Sequence, residues 1–96
     1  MYTIYVQFKC HDGKREAFVE KVKQEGILAD ILAEDGCHRY DYYFSDADKN
    51  EILLIEAWET KNHQQVHLDQ PHMVRLREFK DDYIRETTLG EFEVKN

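Results

Sequence analysis

The chain has 96 residues, a formal net charge of −7 at pH 7, 42% hydrophobic residues and 34% charged residues. This length has room for one domain, spanning residues 1–96, and the composition is that of a globular protein rather than a disordered one. The negative charge argues against nucleic acid or an anionic membrane as a partner, because phosphate groups would be repelled. The sequence contains no apolar run of membrane-spanning length and opens with strand-like residues rather than a signal peptide, so we expect a cytoplasmic protein.

The first half of the chain predicts a strand followed by a long helix. Residues 2–10 alternate between apolar and polar side chains, which is typical of a half-buried strand. Asp12 is a candidate N-cap for a helix over residues 14–33, and Gly26 should break or kink that helix. The predicted inward-facing stripe of this helix is Phe18, Val22, Ala29 and Leu32.

The second half predicts a hairpin, a divided helix and a last strand. Residues 37–45 and 52–58 form two strands joined by a polar turn. The following helix should end near Asp69 and restart at Pro71, because proline lacks the N–H that a helix interior requires but suits a first turn. A final strand is predicted over residues 87–94, where Gly90 marks a possible bulge.

The resulting order, β-α-β-β-α-β, predicts an α+β fold of the ferredoxin-like type. Its helices would cover one face of the sheet and leave a second, partly apolar face uncovered. We therefore expect a homodimer that packs sheet against sheet with twofold symmetry. Cys10 and Cys37 lack the spacing of a metal or redox motif and are expected to be reduced thiols.

The strand over residues 52–58 and the helix after it carry the most reactive side chains. Glu56 and Trp58 lie two residues apart and share a strand face, where a carboxylate must be paired or carry a raised pKa. Glu56 is then either a proton acceptor or a structural partner of Arg39 or of a donor on the second helix. His63 and His67 have the i,i+4 spacing of a metal pair, but no third ligand follows in the sequence, and we predict no metal site.

Three short motifs occur in order along the chain: Gly36-Cys37-x-x-Tyr40, Ile55-Glu56-x-Trp58 and His67-Leu68-x-x-Pro71-His72. Together they resemble the antibiotic biosynthesis monooxygenase (ABM) family, and the resemblance spans roughly residues 2–94. It implies a dimeric α/β barrel with a cavity between the sheet and the helices of each subunit. It also implies oxidation of a quinol-like or polyphenolic aromatic by O₂ without metal, flavin or haem, so no cofactor is expected.

The resemblance places Trp58, His67 and His72 at family positions, and with Glu56 they form the predicted catalytic set. The residues predicted to contact the substrate are Tyr5, Gln7, Tyr40, Tyr42, Leu54 and His63. The chain is also similar to the branch of this superfamily that isomerises a phosphorylated autoinducer-2 sugar, which makes a keto-sugar phosphate isomerase the alternative function. A binding module without turnover is a third possibility. The basic residues Arg75, Arg77 and Lys80 could hold a phosphate, although their acidic neighbours favour a solvated, salt-bridged face.

Overall fold

The computed structural model describes residues 1–92 and confirms the predicted α+β fold, with each predicted helix divided in two. The elements in chain order are β1 (Tyr2–Cys10), α1 (Arg15–Gln24), α2 (Ile27–Leu32), β2 (Cys37–Phe44), β3 (Glu51–Trp58), α3 (Lys61–Leu68), α4 (Pro71–Lys80) and β4 (Ile84–Glu91). The strands form one antiparallel sheet in the order β2-β3-β1-β4.

The register of the sheet determines which side chains face the helices. Residues that lie opposite one another in an antiparallel pair share a face. Glu56 of β3 lies opposite Ile4 of β1 and Tyr40 of β2, and Leu54 lies opposite Val6 of β1. These side chains are buried on the helix side of the sheet, so the single carboxylate among them lies within an otherwise apolar layer.

Gly26 separates α1 from α2, as predicted, and it does so in the left-handed conformation with φ of +74°. This turn rotates α2 relative to α1. The predicted inward-facing stripe continued straight through Gly26, so it is wrong in α2. Leu32 is 52% exposed, whereas Ile27 and Ile31 are fully buried. The buried residues of α1 are Phe18, Val19 and Val22.

The predicted break before Pro71 is also confirmed. Helix α3 ends at Leu68, and Pro71 is the first residue of α4. At the start of α3, the Thr60 hydroxyl accepts a hydrogen bond from the backbone N–H of His63, which satisfies one of the free donors at that helix end.

Three local predictions are corrected. The residue before α1 is Lys14 and no side chain caps the helix, because the Asp12 carboxylate accepts a hydrogen bond from Asn50 instead. The last strand begins at Ile84, earlier than predicted, and residue 94 lies outside the described residues. The register of the β1–β4 pair shifts between Lys9 and Cys10, where Arg85 of β4 is the extra residue, whereas Gly90 leaves the space that the Tyr5 ring occupies.

The second face of the sheet carries no helix within residues 1–92. Leu53 and Ile55 of β3 lie there, half-buried, beside Tyr5 and Gln7 of β1. The predicted dimer would cover these side chains and stays a prediction. Both cysteines are free, and no helix in the described range is long and apolar enough to cross a membrane.

Candidate active site

A cavity of about 250 Å³ lies between the helix-side face of the sheet and helices α1, α3 and α4. Most of its wall is apolar. The lining residues are Val6, Phe8, Phe18, Tyr40, Tyr42, Leu54, Glu56, His67, Leu68, Met73, Leu76, Arg77 and Lys80. An apolar cavity that holds a few convergent polar groups is the usual form of a small-molecule site.

His67 presents its imidazole to this cavity from α3. The side chain is 1% exposed, and its ring packs on Trp58 with centroids 4.7 Å apart. Its Nδ1 lies 2.7 Å from Oε2 of Glu34, a residue in the turn between α2 and β2. The same Glu34 oxygen lies 2.8 Å from Nε2 of His72, near the start of α4.

One carboxylate oxygen therefore accepts from two histidines, and this arrangement specifies their tautomers. The ring nitrogen that faces the carboxylate carries a proton in each case, Nδ1 in His67 and Nε2 in His72. Nε2 of His67 forms no hydrogen bond within residues 1–92. Every fully buried side-chain N or O in this range has a hydrogen-bond partner, so Nε2 is not fully buried. Nε2 consequently faces the open space of the cavity as a hydrogen-bond acceptor.

Burial lowers the pKa of His67, although the hydrogen bond to Glu34 opposes this effect. The imidazole is therefore neutral at neutral pH, and its Nε2 lone pair is available to accept a proton. The carboxylate behind the ring orients it and would stabilise the imidazolium formed by proton transfer. The pair has the geometry of a general base with an orienting acid.

Glu56 is the second acid–base group of the cavity. Trp58 donates its indole N–H to Oε1 of Glu56 at 3.0 Å, and both side chains are buried. Burial raises the pKa of Glu56 to about 7, the Trp58 hydrogen bond opposes that rise, and the charge of Glu34 adds to it. Near neutral pH this carboxyl group can both give and take a proton. The predicted structural pairing with Arg39 is wrong, since Arg39 contacts Asp41 and Tyr43 on the other face of β2.

Three of the predicted substrate contacts lie in the cavity wall, namely Tyr40, Tyr42 and Leu54. Burial raises the pKa of both tyrosines, so their hydroxyl groups stay protonated and can act as hydrogen-bond donors. The Tyr40 ring also meets His67 edge-on, with centroids 5.7 Å apart. His72 and Trp58 do not line the cavity, because His72 is connected to it only through Glu34 and His67, and Trp58 packs on the His67 ring.

The other three predicted contacts lie elsewhere in the subunit and are corrected. Tyr5 and Gln7 have side chains on the second face of the sheet, where Gln7 donates to Glu51. Residue parity along β1 explains this, because the cavity takes the even-numbered residues of that strand. His63 contacts Thr60 and Asp35 and lines a separate surface cleft of about 320 Å³.

Glu34 was absent from the sequence-based site, and its role depends on the chain around it. It lies in a turn closed by Gly36, whose φ is +78° and whose Cα approaches the His63 ring so closely that a Cβ would collide with it. This turn brings Glu34 against α3 and α4. Only the Glu-Asp-Gly sequence after the helix indicates a turn there, and nothing in it indicates an acid–base role.

The atoms that Glu34, His67 and His72 offer lie within 4.8 Å of one another, so they could also bind a divalent ion. This set differs from the His63 and His67 pair considered from the sequence, because His63 points to the surface cleft. Within residues 1–92, hydrogen bonds between the carboxylate and the two imidazoles already satisfy the three atoms.

Comparison with known proteins identifies the family. The model of the antibiotic biosynthesis monooxygenase family matches residues 1–78. The chain belongs to this family. This ABM chain is similar to a curated relative, the probable quinol monooxygenase YgiN of Escherichia coli. The two are 29% identical over 83 residues, which cover 76% of this chain and 78% of the relative.

Solved structures support the fold of this ABM protein. PA3566 from Pseudomonas aeruginosa superposes with a TM-score of 0.85 at 19% identity, covering 99% of this chain and 94% of that one. Rv0793 from Mycobacterium tuberculosis gives a TM-score of 0.82 at 21% identity, with 99% and 95% covered. At these identities the likeness establishes the shared fold and leaves the chemistry to be argued from the site.

Proposed function

We propose that this ABM protein is a cofactor-independent monooxygenase that oxidises a small quinol-like or polyphenolic aromatic with O₂. The observation that supports the proposal most directly is the His67 imidazole, which is buried against Trp58, hydrogen-bonded to Glu34 and open to an apolar cavity on its other nitrogen. The quinol monooxygenase name of the YgiN relative agrees with it.

The first step is removal of a phenolic proton. A hydroxyl group of the substrate donates to Nε2 of His67, which takes the proton as a general base, and the Glu34 carboxylate stabilises the resulting imidazolium. His72 acts as a positioning residue, because its N–H holds the Glu34 oxygen that orients His67. The product of this step is an electron-rich aromatic anion in a cavity with mostly apolar walls.

The second step is the reaction of that anion with O₂. The anion reduces oxygen, forming a bond between a ring carbon and oxygen and leaving a peroxide anion. Protonated Glu56 supplies the proton that converts this anion to a hydroperoxide, and loss of water then leaves a carbonyl group on the ring. Leu54 and the other apolar side chains of the cavity wall keep water away from the reactive intermediates.

Oxygen uptake tests this proposal directly. Metal-stripped protein is given a panel of quinols and anthrones in an oxygen electrode, and uptake is compared with autoxidation in buffer. We expect uptake above background that survives chelators and falls strongly in His67→Gln. Uptake no faster than autoxidation for every compound of the panel would contradict the proposal.

The alternative function is isomerisation of a small phosphorylated keto-sugar, and the observation in its favour is the presence of Arg77 and Lys80 in the cavity wall. The same His67 would move a proton next to a carbonyl, through an enediol and without oxygen consumption. Conversion of a keto-sugar phosphate under nitrogen, together with inactivity in the oxygen electrode, would favour the isomerase. The homodimer and the cytoplasmic location stay predictions under either function.

A further inference from the structure

Two cationic side chains of α4 enter the wall of the mostly apolar cavity. Arg77 and Lys80 lie one turn apart on this helix and both line the cavity that holds His67 and Glu56. The ammonium group of Lys80 lies over the Phe8 ring, 5.3 Å from its centroid. Because Phe8 lines the cavity, the Lys80 charge lies at the cavity wall.

Neither cation forms an ion pair with a carboxylate of residues 1–92. Their neighbour Arg75 differs, since it lies 3.5 Å from Asp30 and is directed away from the cavity. The sequence-based interpretation of these three residues as one solvated, salt-bridged face is therefore correct for the exposure of Arg77 but wrong for the salt bridges of Arg77 and Lys80 within residues 1–92.

Lys80 is half-buried beside the like charge of the exposed Arg77, which is unfavourable for the Lys80 ammonium without an anion nearby. Burial lowers the pKa of Lys80, the Asp81 charge opposes that effect, and the Arg77 charge adds to it. An anionic group bound between the two side chains would relieve this repulsion and gain charge-assisted hydrogen bonds. Because the chain has a net charge of −7, the rest of its surface would repel an anion, and Arg77 and Lys80 would attract one to this part of the molecule.

We infer that the substrate is an aromatic hydroxy compound that carries a carboxylate, which Arg77 and Lys80 bind while the hydroxyl group faces His67. The inference rests on the proposed function, which it deepens by specifying the substrate class. Lys80 lies over Phe8, which is opposite Ile52 and therefore four residues along β3 from Glu56. His67 and Glu56 then contact the reacting hydroxyl, and the α4 cations orient the ring by its carboxylate.

Binding of redox-inert probes tests the inference without turnover. Isothermal titration calorimetry compares 6-hydroxy-2-naphthoate with 2-naphthol, which share the ring system and hydroxyl but differ in the carboxylate. Wild-type protein should bind the naphthoate about tenfold more tightly, the gain expected of one charge-assisted hydrogen bond. Raising the salt concentration should reduce this preference and leave 2-naphthol binding nearly unchanged.

Variants of α4 assign the preference to the two cations. Lys80→Met should reduce the preference about fivefold, whereas the more exposed Arg77 should contribute less, about twofold in Arg77→Gln. Both variants should bind 2-naphthol like wild type, which also shows that the cavity is intact. Lys80→Arg should retain the preference, and Arg75→Gln is the matched control expected to change nothing.

The possible failures are distinguishable. Equal affinity for the two naphthols, or a preference that persists in the double variant of Lys80→Met and Arg77→Gln, would overturn the carboxylate inference and leave the proposed function standing. Tighter binding of ribulose 5-phosphate than of the naphthoate would overturn it in favour of a sugar phosphate. Absence of binding by both naphthols would overturn the inference together with the aromatic substrate of the proposed function.

Discussion

Nδ1 of His67 lies 2.7 Å from Oε2 of Glu34, although 33 residues separate the two in the chain. This contact gives the imidazole one defined tautomer and leaves its second nitrogen to the cavity. In the proposed mechanism this pair accepts the substrate proton, and Glu56, whose pKa burial raises to about 7, supplies one.

Replacing His67 should remove the general base with limited change to the fold. We expect His67→Gln to lower kcat/KM about 10²- to 10³-fold in the oxygen-uptake assay, the usual contribution of a positioned base. His63→Gln is the matched control, since His63 lies on the same helix but faces the surface cleft. Comparable losses in the two variants would mean that His67 has no particular role in proton transfer.

Glu34→Gln should change the pH profile as well as the rate. Burial lowers the pKa of His67, and the Glu34 carboxylate opposes that lowering. Removing the negative charge should lower the His67 pKa further, so the acid limb of kcat/KM should move to lower pH while kcat falls about tenfold. An acid limb that stays in place would show that another group controls it.

Glu56→Gln should remove a pH dependence of stability. Burial raises the pKa of Glu56 from 4.5 to about 7, so between these values the native state holds a proton that the unfolded chain has lost. The Glu56 contribution is therefore fully present below pH 4.5 and is lost as the pH rises through 7. Over this interval the variant should gain roughly 3 kcal/mol relative to wild type.

Urea denaturation of wild type and Glu56→Gln at several pH values measures this difference directly. The comparison cancels the surface carboxylates that both proteins share. A difference in the free energy of unfolding that is constant between pH 4.5 and 7 would rule out the raised pKa.

Chelation should leave the proposed oxygenase active. Glu34, His67 and His72 could bind a divalent ion, but the proposed chemistry needs a proton on His67 Nδ1 rather than a metal. Protein dialysed against EDTA should therefore keep its full rate, and added Zn²⁺ should inhibit by occupying Nδ1. If dialysis abolished activity and an added metal restored it, the result would contradict the cofactor-independent mechanism and indicate a metal-dependent one.

The uncovered sheet face should form the predicted dimer. Ile55→Lys places a charge among half-buried apolar side chains of this face and should convert dimer to monomer in sedimentation equilibrium. Val74→Lys, on an exposed position of α4, is the control and should sediment like wild type. A wild-type protein that sediments as a monomer would refute the dimer itself.

The sequence alone determined the elements and the reactive strand. Period-two alternation in β1, the apolar run of β3 and the breaks at Gly26 and Pro71 are local properties of the chain, so they could be predicted from neighbouring residues. The same locality put Glu56, Trp58 and His67 among the candidates, because a carboxylate on an apolar strand face and a histidine on a helix need only nearby residues to be noticed.

Tertiary structure decided which of those side chains meet. Glu34 joins His67 and His72 only after the Gly36 turn folds back over two later helices, and no short-range pattern encodes that contact. The alternation in β1 predicted which residues share a face but not which face the helices cover. The prediction therefore placed Tyr5 and Gln7 in the cavity. Helices α1 and α4 pack on the face of the even-numbered β1 residues, because burying Val6 and Phe8 there removes the most apolar surface from water.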